Sequence, residues 1–82
     1  MNGLVERRIR QVVDEVRPFL TPDGGDVDLL GIDDGVVRVR YRKGHNEKCV
    51  ECVMAPDDFR EYMIEMFRNR VPDVADVRVE VA

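Results

Sequence analysis

The sequence predicts an α+β domain of two layers, in the order α-β-β-α-β, with two helices covering one face of a small three-stranded mixed sheet. Three observations predict it. Apolar residues recur at three- and four-residue spacing near the start and again after Pro56. Two alternating runs flank Asp33-Asp34-Gly35, and a third closes the chain.

The first helix is expected over residues 4–17. Val5, Ile9, Val12, Val13 and Val16 share one face, while Glu6, Arg7, Arg10, Asp14 and Arg17 fall largely on the other. Asn2 suits the N-cap. Pro18 disfavours helical geometry at Arg17 and is expected to end the element there, with Phe19 and Leu20 folding back onto the core. Thr21-Pro22-Asp23-Gly24-Gly25-Asp26 is the densest turn signal, because two glycines admit positive φ and aspartates bond nearby N–H groups.

Val27 to Ile32 reads as a strand, and Asp33-Asp34-Gly35 as a hairpin turn of the type I′ kind. Val36 to Tyr41 is the return strand. It places Val37, Val39 and Tyr41 on one face and Arg38, Arg40 and Arg42 on the other, so one side of the sheet is wet or meets something acidic. A polar loop then runs from Arg42 to Lys48. Pro56 fits the first turn of a second helix reaching about Arg70, with Asp57 and Asp58 at its positive end. Phe59, Tyr62, Met63, Met66 and Phe67 make its apolar face. After Pro72-Asp73, Val77, Val79 and Val81 alternate with Arg78 and Glu80 as the final strand.

At 82 residues the chain is one small domain, residues 1–82, without space for a large substrate cavity. Its net charge of −4, absence of Trp and aromatic content of 6% argue against general nucleic-acid binding. Apolar runs are far shorter than the roughly 20 residues of a membrane span. The start, Met1-Asn2-Gly3-Leu4-Val5-Glu6-Arg7-Arg8, lacks a signal-peptide pattern, so the expected location is cytoplasmic. No serine occurs, which excludes a serine nucleophile, and one histidine with scattered carboxylates makes no recognisable acid–base pair. The protein is therefore not expected to be an enzyme. Gly24-Gly25 precedes a strand, whereas a dinucleotide loop follows one.

The chemistry centres on Cys49-Val50-Glu51-Cys52. Thiolates are soft ligands for iron or zinc, and a two-residue spacer lets both sulfurs meet one metal centre. The motif lies before a helix start and beside Arg38, Arg40, Arg42, Lys43 and Lys48, with Glu47 the sole acid among residues 38–48. Such surroundings favour thiolates and offset the charge of a thiolate-bound cluster. Taken alone, the pair also admits thiol–disulfide chemistry or a purely structural role. Two thiolates complete neither a tetrahedral zinc site nor a four-cysteine cluster site. A two-fold dimer would supply four sulfurs. His45 is a further candidate ligand, and Glu47, Glu51, Asp57 and Asp58 are weaker ones, most simply surface or helix-end charges. Met63 and Met66 stand at core spacing and are expected to pack rather than ligate.

Arg17-Pro18-Phe19-Leu20, Asp23-Gly24-Gly25-Asp26-Val27-Asp28-Leu29, Val37-Arg38-Val39-Arg40, Cys49-x-x-Cys52 and Val71-Pro72-Asp73-Val74, in that order, resemble the NifU C-terminal domain, or Nfu-type, family over essentially the whole chain. The resemblance implies an iron–sulfur cluster scaffold or carrier. It implies that Cys49 and Cys52 hold a 4Fe–4S cluster, or in some members a 2Fe–2S cluster, between two protomers of a homodimer. It further implies transfer of that cluster to apo-proteins, with the assembly machinery as partners. Beside the motif the chain departs from the family pattern. Arg42-Lys43-Gly44-His45-Asn46-Glu47-Lys48 is a longer approach than the usual short G-A-C or G-S-C lead, and Val53-Met54-Ala55-Pro56 replaces the usual Pro and Ser residues. Zinc binding, thiol–disulfide chemistry through the same cysteines, and a docking module without a cluster are the alternative readings.

Overall fold

A computed structural model describes residues 3–45 and 53–82 of the chain. Helix α1 spans Gly3–Leu20 and a single 3₁₀ turn follows at Thr21–Asp23. Strands β1 (Asp26–Asp33) and β2 (Val36–Arg42) form an antiparallel hairpin. Helix α2 spans Pro56–Arg70, and β3 (Asp76–Val81) pairs parallel to β2, giving the order β1-β2-β3. This is the mixed sheet and α-β-β-α-β order that the patterning predicts. The expected N-cap, Asn2, lies outside the described residues.

One cluster of apolar side chains forms the core. Ile9, Val12, Val13, Val16 and Leu20 of α1 and Phe59, Met63 and Phe67 of α2 pack on Val27, Val37, Val39, Tyr41 and Val77 of the sheet. Met66 and Tyr62 are half-buried against it. In β3 alternation fails where the strand runs out: Val81, last residue of an edge strand, is exposed.

Helix α1 runs three residues past the expected stop, with Pro18 inside its last turn. Proline crowds helical backbone at the preceding residue, here Arg17. Tertiary contacts hold that residue in place. The Arg17 guanidinium donates to the Val27 carbonyl at 2.8 and 3.2 Å and pairs with Asp26 at 3.1 Å and Asp28 at 3.0 Å. Leu20 is buried as expected, but Phe19 is 74% exposed rather than folded onto the core, because the extended helix carries the two residues to different sides.

The same device guards the opposite sheet edge. Arg60 of α2 donates to the Val77 carbonyl at 2.9 Å and pairs with Asp76 at 2.7 Å. Edge carbonyls left open invite pairing with another chain, and an arginine from the covering helix occupies one on each edge. The Val77 N–H bond, together with the charges of Arg60 and Arg78, holds the Asp76 carboxyl below the usual range.

Two local irregularities set the register. Leu29 faces Val39 and Gly31 faces Arg38, so Leu30 is an extra residue in β1. This bulge lets both Leu29 and Ile32 turn toward the helices despite odd spacing. At the hairpin tip Asp34 has φ 48° and Gly35 φ 82°, the predicted mirror-type turn. The Gly35 carbonyl accepts the Ala75 N–H at 2.8 Å, so the hairpin tip meets the entrance of β3.

Candidate functional site

Cys49 and Cys52, the expected ligands, lie outside the described residues, as do Glu47, Lys48 and Glu51. The structure does describe both ends of the segment that carries them, and each end is fastened to the domain.

The upstream end is held by backbone. Gly24 (φ 80°) closes the 3₁₀ turn with its N–H on the Thr21 carbonyl at 3.0 Å. Gly25 is buried with no positive φ, so the two adjacent glycines have different roles. A Cβ on Gly25 would come within 2.9 Å of the Arg42 carbonyl oxygen and 3.2 Å of the Leu20 oxygen. Gly44 comes closer still. A Cβ there would collide with the Asp23 carbonyl group, and the His45 N–H donates to that oxygen at 2.7 Å. The turn before β1 therefore clasps the chain just after β2, and only glycine fits at the contact.

The downstream end is held by a side chain. Tyr41, next to last in β2, donates its hydroxyl to the Met54 carbonyl at 2.7 Å. Its ring stacks on Phe59 of α2, with centroids 4.0 Å apart and planes 7° from parallel. The side chain is 1% exposed, and that burial raises the phenol pKa above its ordinary 10.0. Buried phenols need a hydrogen-bond partner, and Met54 supplies it. Helix α2 begins two residues later with Pro56 in its first turn and no side-chain cap at Ala55.

The remaining candidates separate clearly. His45 has an exposed side chain and its backbone bound to Asp23. Asp57 and Asp58 sit in the first turn of α2, exposed, where helix-end charge explains them. Met63 is fully buried and packs, as expected. Among the described residues no three His, Cys, Asp or Glu side chains are grouped to hold a metal ion. Arg42 and Lys43 are exposed at the upstream end. No helix among the described residues is long and apolar enough to cross a membrane.

Sequence reasoning missed the Gly44 clasp and the Tyr41 strut. A lone glycine in a polar approach loop is the only local trace of the first. The second leaves none, because Tyr41 reads equally as a core residue of β2.

Known proteins supply the context. The chain is 34% identical to NifU-like protein 1, chloroplastic, of Oryza sativa subsp. japonica over 74 residues, covering 90% of this chain and 31% of that one. It is 30% identical to NifU-like protein 2, chloroplastic, of Arabidopsis thaliana over 74 residues, covering 90% and 30%. A third relative, NifU-like protein 1, chloroplastic, of Arabidopsis thaliana, is 37% identical over 49 residues, 60% of this chain and 20% of that protein. The chain thus spans under a third of the length of these relatives. The model of the NifU-like domain matches residues 9–78, which include both helices' buried faces, β1, β2, the first half of β3 and the C-x-x-C; the chain belongs to the NifU-like domain family, a membership that points to a role in iron–sulfur cluster assembly.

Proposed function

We propose that this domain is an iron–sulfur cluster scaffold or carrier in which Cys49 and Cys52 hold the cluster as cargo. The observation that carries the reading is family membership across residues 9–78 with the cysteine pair inside the matched region. Two thiolates from each of two chains complete a four-sulfur set, whereas one chain offers half of it.

The chain's own residues fit this task. The Gly25–Gly44 clasp and the Tyr41 hydroxyl fix the two ends of the cysteine-bearing segment on a rigid sheet. Arg42 and Lys43 place positive charge at its upstream end, where it offsets thiolate charge. Thiolates split between two chains can be exchanged one at a time for those of an acceptor, so the domain delivers cargo without a catalytic turnover of its own. Reduced thiols are required throughout, which suits a reducing compartment such as the cytoplasm.

Anaerobic reconstitution with iron and sulfide tests the reading. The protein is expected to become coloured, to hold iron and sulfide, to elute as a dimer, and to lose iron to an apo-acceptor on mixing. The Cys49→Ala/Cys52→Ala variant stays colourless. A wild-type chain that remains iron-free, or one that binds zinc alone, overturns the assignment.

A further inference from the structure

The helices cover one face of the sheet, and the other face is open. On that face the central strand presents Arg38, Arg40 and Arg42 in a row, alternating with buried Val37, Val39 and Tyr41. Register places Asp28 opposite Arg40 and Asp26 opposite Arg42 on β1, and Glu80 beside Arg40 on β3. Opposite charges so placed ordinarily neutralise one another.

Here they do not. Arg17 reaches over the β1 edge and takes both aspartates, at 3.1 Å to Asp26 and 3.0 Å to Asp28. Glu80 lies toward Arg38, at 3.6 Å, and Arg38 also meets Asp33 at 3.6 Å. Arg40, Arg42 and the adjoining Lys43 make no ion pair with any described residue. All three are exposed, and the chain continues from them through Gly44 into the cysteine-bearing segment. An acidic protein of net charge −4 thus keeps an unmatched basic row leading to its functional end.

We propose that this row is a docking site for an acidic polypeptide segment of the partner that receives or supplies the cluster. Arg40 and Arg42 stand roughly 7 Å apart along the strand, the span of two extended residues. The fitting ligand is a segment with carboxylates at alternate positions, each able to take a guanidinium in a forked hydrogen bond. A nucleic acid fits poorly. Tyr41, Phe59 and Phe67 are buried in the core, which leaves no stacking platform for bases among the described residues of this face. Arg17 acts here as a positioning residue, since it keeps the two aspartates away from the row.

The role of the site in cluster delivery rests on the function proposed above, but its existence is measurable without a cluster. A fluorescein-labelled peptide of alternating Glu and Thr is titrated by anisotropy against the wild-type chain and against the Cys49→Ala/Cys52→Ala variant. A Lys-for-Glu peptide and a single-stranded oligonucleotide of equal charge serve as comparisons. The Glu peptide is expected to bind both proteins and to weaken as salt rises. Arg40→Gln/Arg42→Gln weakens it about tenfold, whereas Arg7→Gln/Arg8→Gln on α1 changes it less than about twofold. Arg17→Gln, which frees Asp26 and Asp28 to neutralise the row, weakens it about threefold, with circular dichroism confirming the fold. Absent binding, equal loss in the two double variants, or oligonucleotide binding as tight as peptide binding overturns the proposal. Peptide binding beside a failed reconstitution sinks the carrier reading alone, and the reverse sinks this surface alone.

Discussion

The two ends of the cysteine-bearing segment are fastened by opposite means. At the upstream end, backbone lies against backbone, with Gly44 and Gly25 leaving no space for a side chain and the His45 N–H on the Asp23 carbonyl. At the downstream end, a single phenol hydroxyl reaches the Met54 carbonyl from the core. The first anchor is a close approach of backbone that tolerates no added atom at Gly44. The second depends on one proton and can be removed without displacing anything. Under the carrier function proposed above, a segment that presents ligands in a fixed place, yet releases what they hold, gains from one rigid end and one adjustable end.

Substitutions at the two anchors put that contrast to the test. The largest effect is expected from Gly44→Ala, whose new methyl meets rigid backbone and costs about 3 kcal/mol in urea unfolding, with faster amide exchange at His45. Gly24→Ala is the matched control. Nothing lies near its Cβ, so only the positive φ is penalised, at about 1 kcal/mol. Equal losses in the two variants would mean that close approach is not what holds the upstream end.

Tyr41→Phe keeps the stack on Phe59 but strands the Met54 carbonyl, and an unfolding loss of about 1–2 kcal/mol is expected. A neutral result would show that water satisfies Met54 and that the strut holds nothing. The smallest effect is a pH dependence. Burial raises the folded pKa of Tyr41 above 10.0, so its contribution is complete below that value and is lost as pH rises through the folded pKa. Urea midpoints should therefore fall above pH 10 in the wild-type chain, and fall less in Tyr41→Phe. Parallel decline in both would assign the alkaline loss to other groups.

The parts legible in the sequence are those whose physics is local. Val5, Ile9, Val12, Val13 and Val16 mark a helix face by spacing alone, and Asp34-Gly35 mark a hairpin because few residues accept positive φ. Both helices, all three strands and the core faces follow from such signals. Pro18 misleads because its local penalty is offset by Arg17 and Leu20 contacts from elsewhere in the fold. The Leu30 bulge is hidden because one inserted residue looks like broken alternation. At the candidate site, Cys49-x-x-Cys52 is conspicuous in the sequence, while its two fastenings join residues far apart along the chain. The same holds for the charge pattern of the open face, since Arg40 and Arg42 read as solvated until Arg17 is seen to hold the facing aspartates.

The meeting of the hairpin tip with the entrance of β3 also bears on how the domain assembles. Because the Gly35 carbonyl takes the Ala75 N–H, the position of the last strand is copied from a turn formed by neighbouring residues. The hairpin closes a short loop and the parallel crossover a long one, so the first is expected to form early and to template the second. In stopped-flow refolding, Gly35→Ala should slow the forward rate, while Val79→Ala should chiefly hasten unfolding. A nucleus that excludes its final strand lets the chain commit to its topology before its most distant pairing is made.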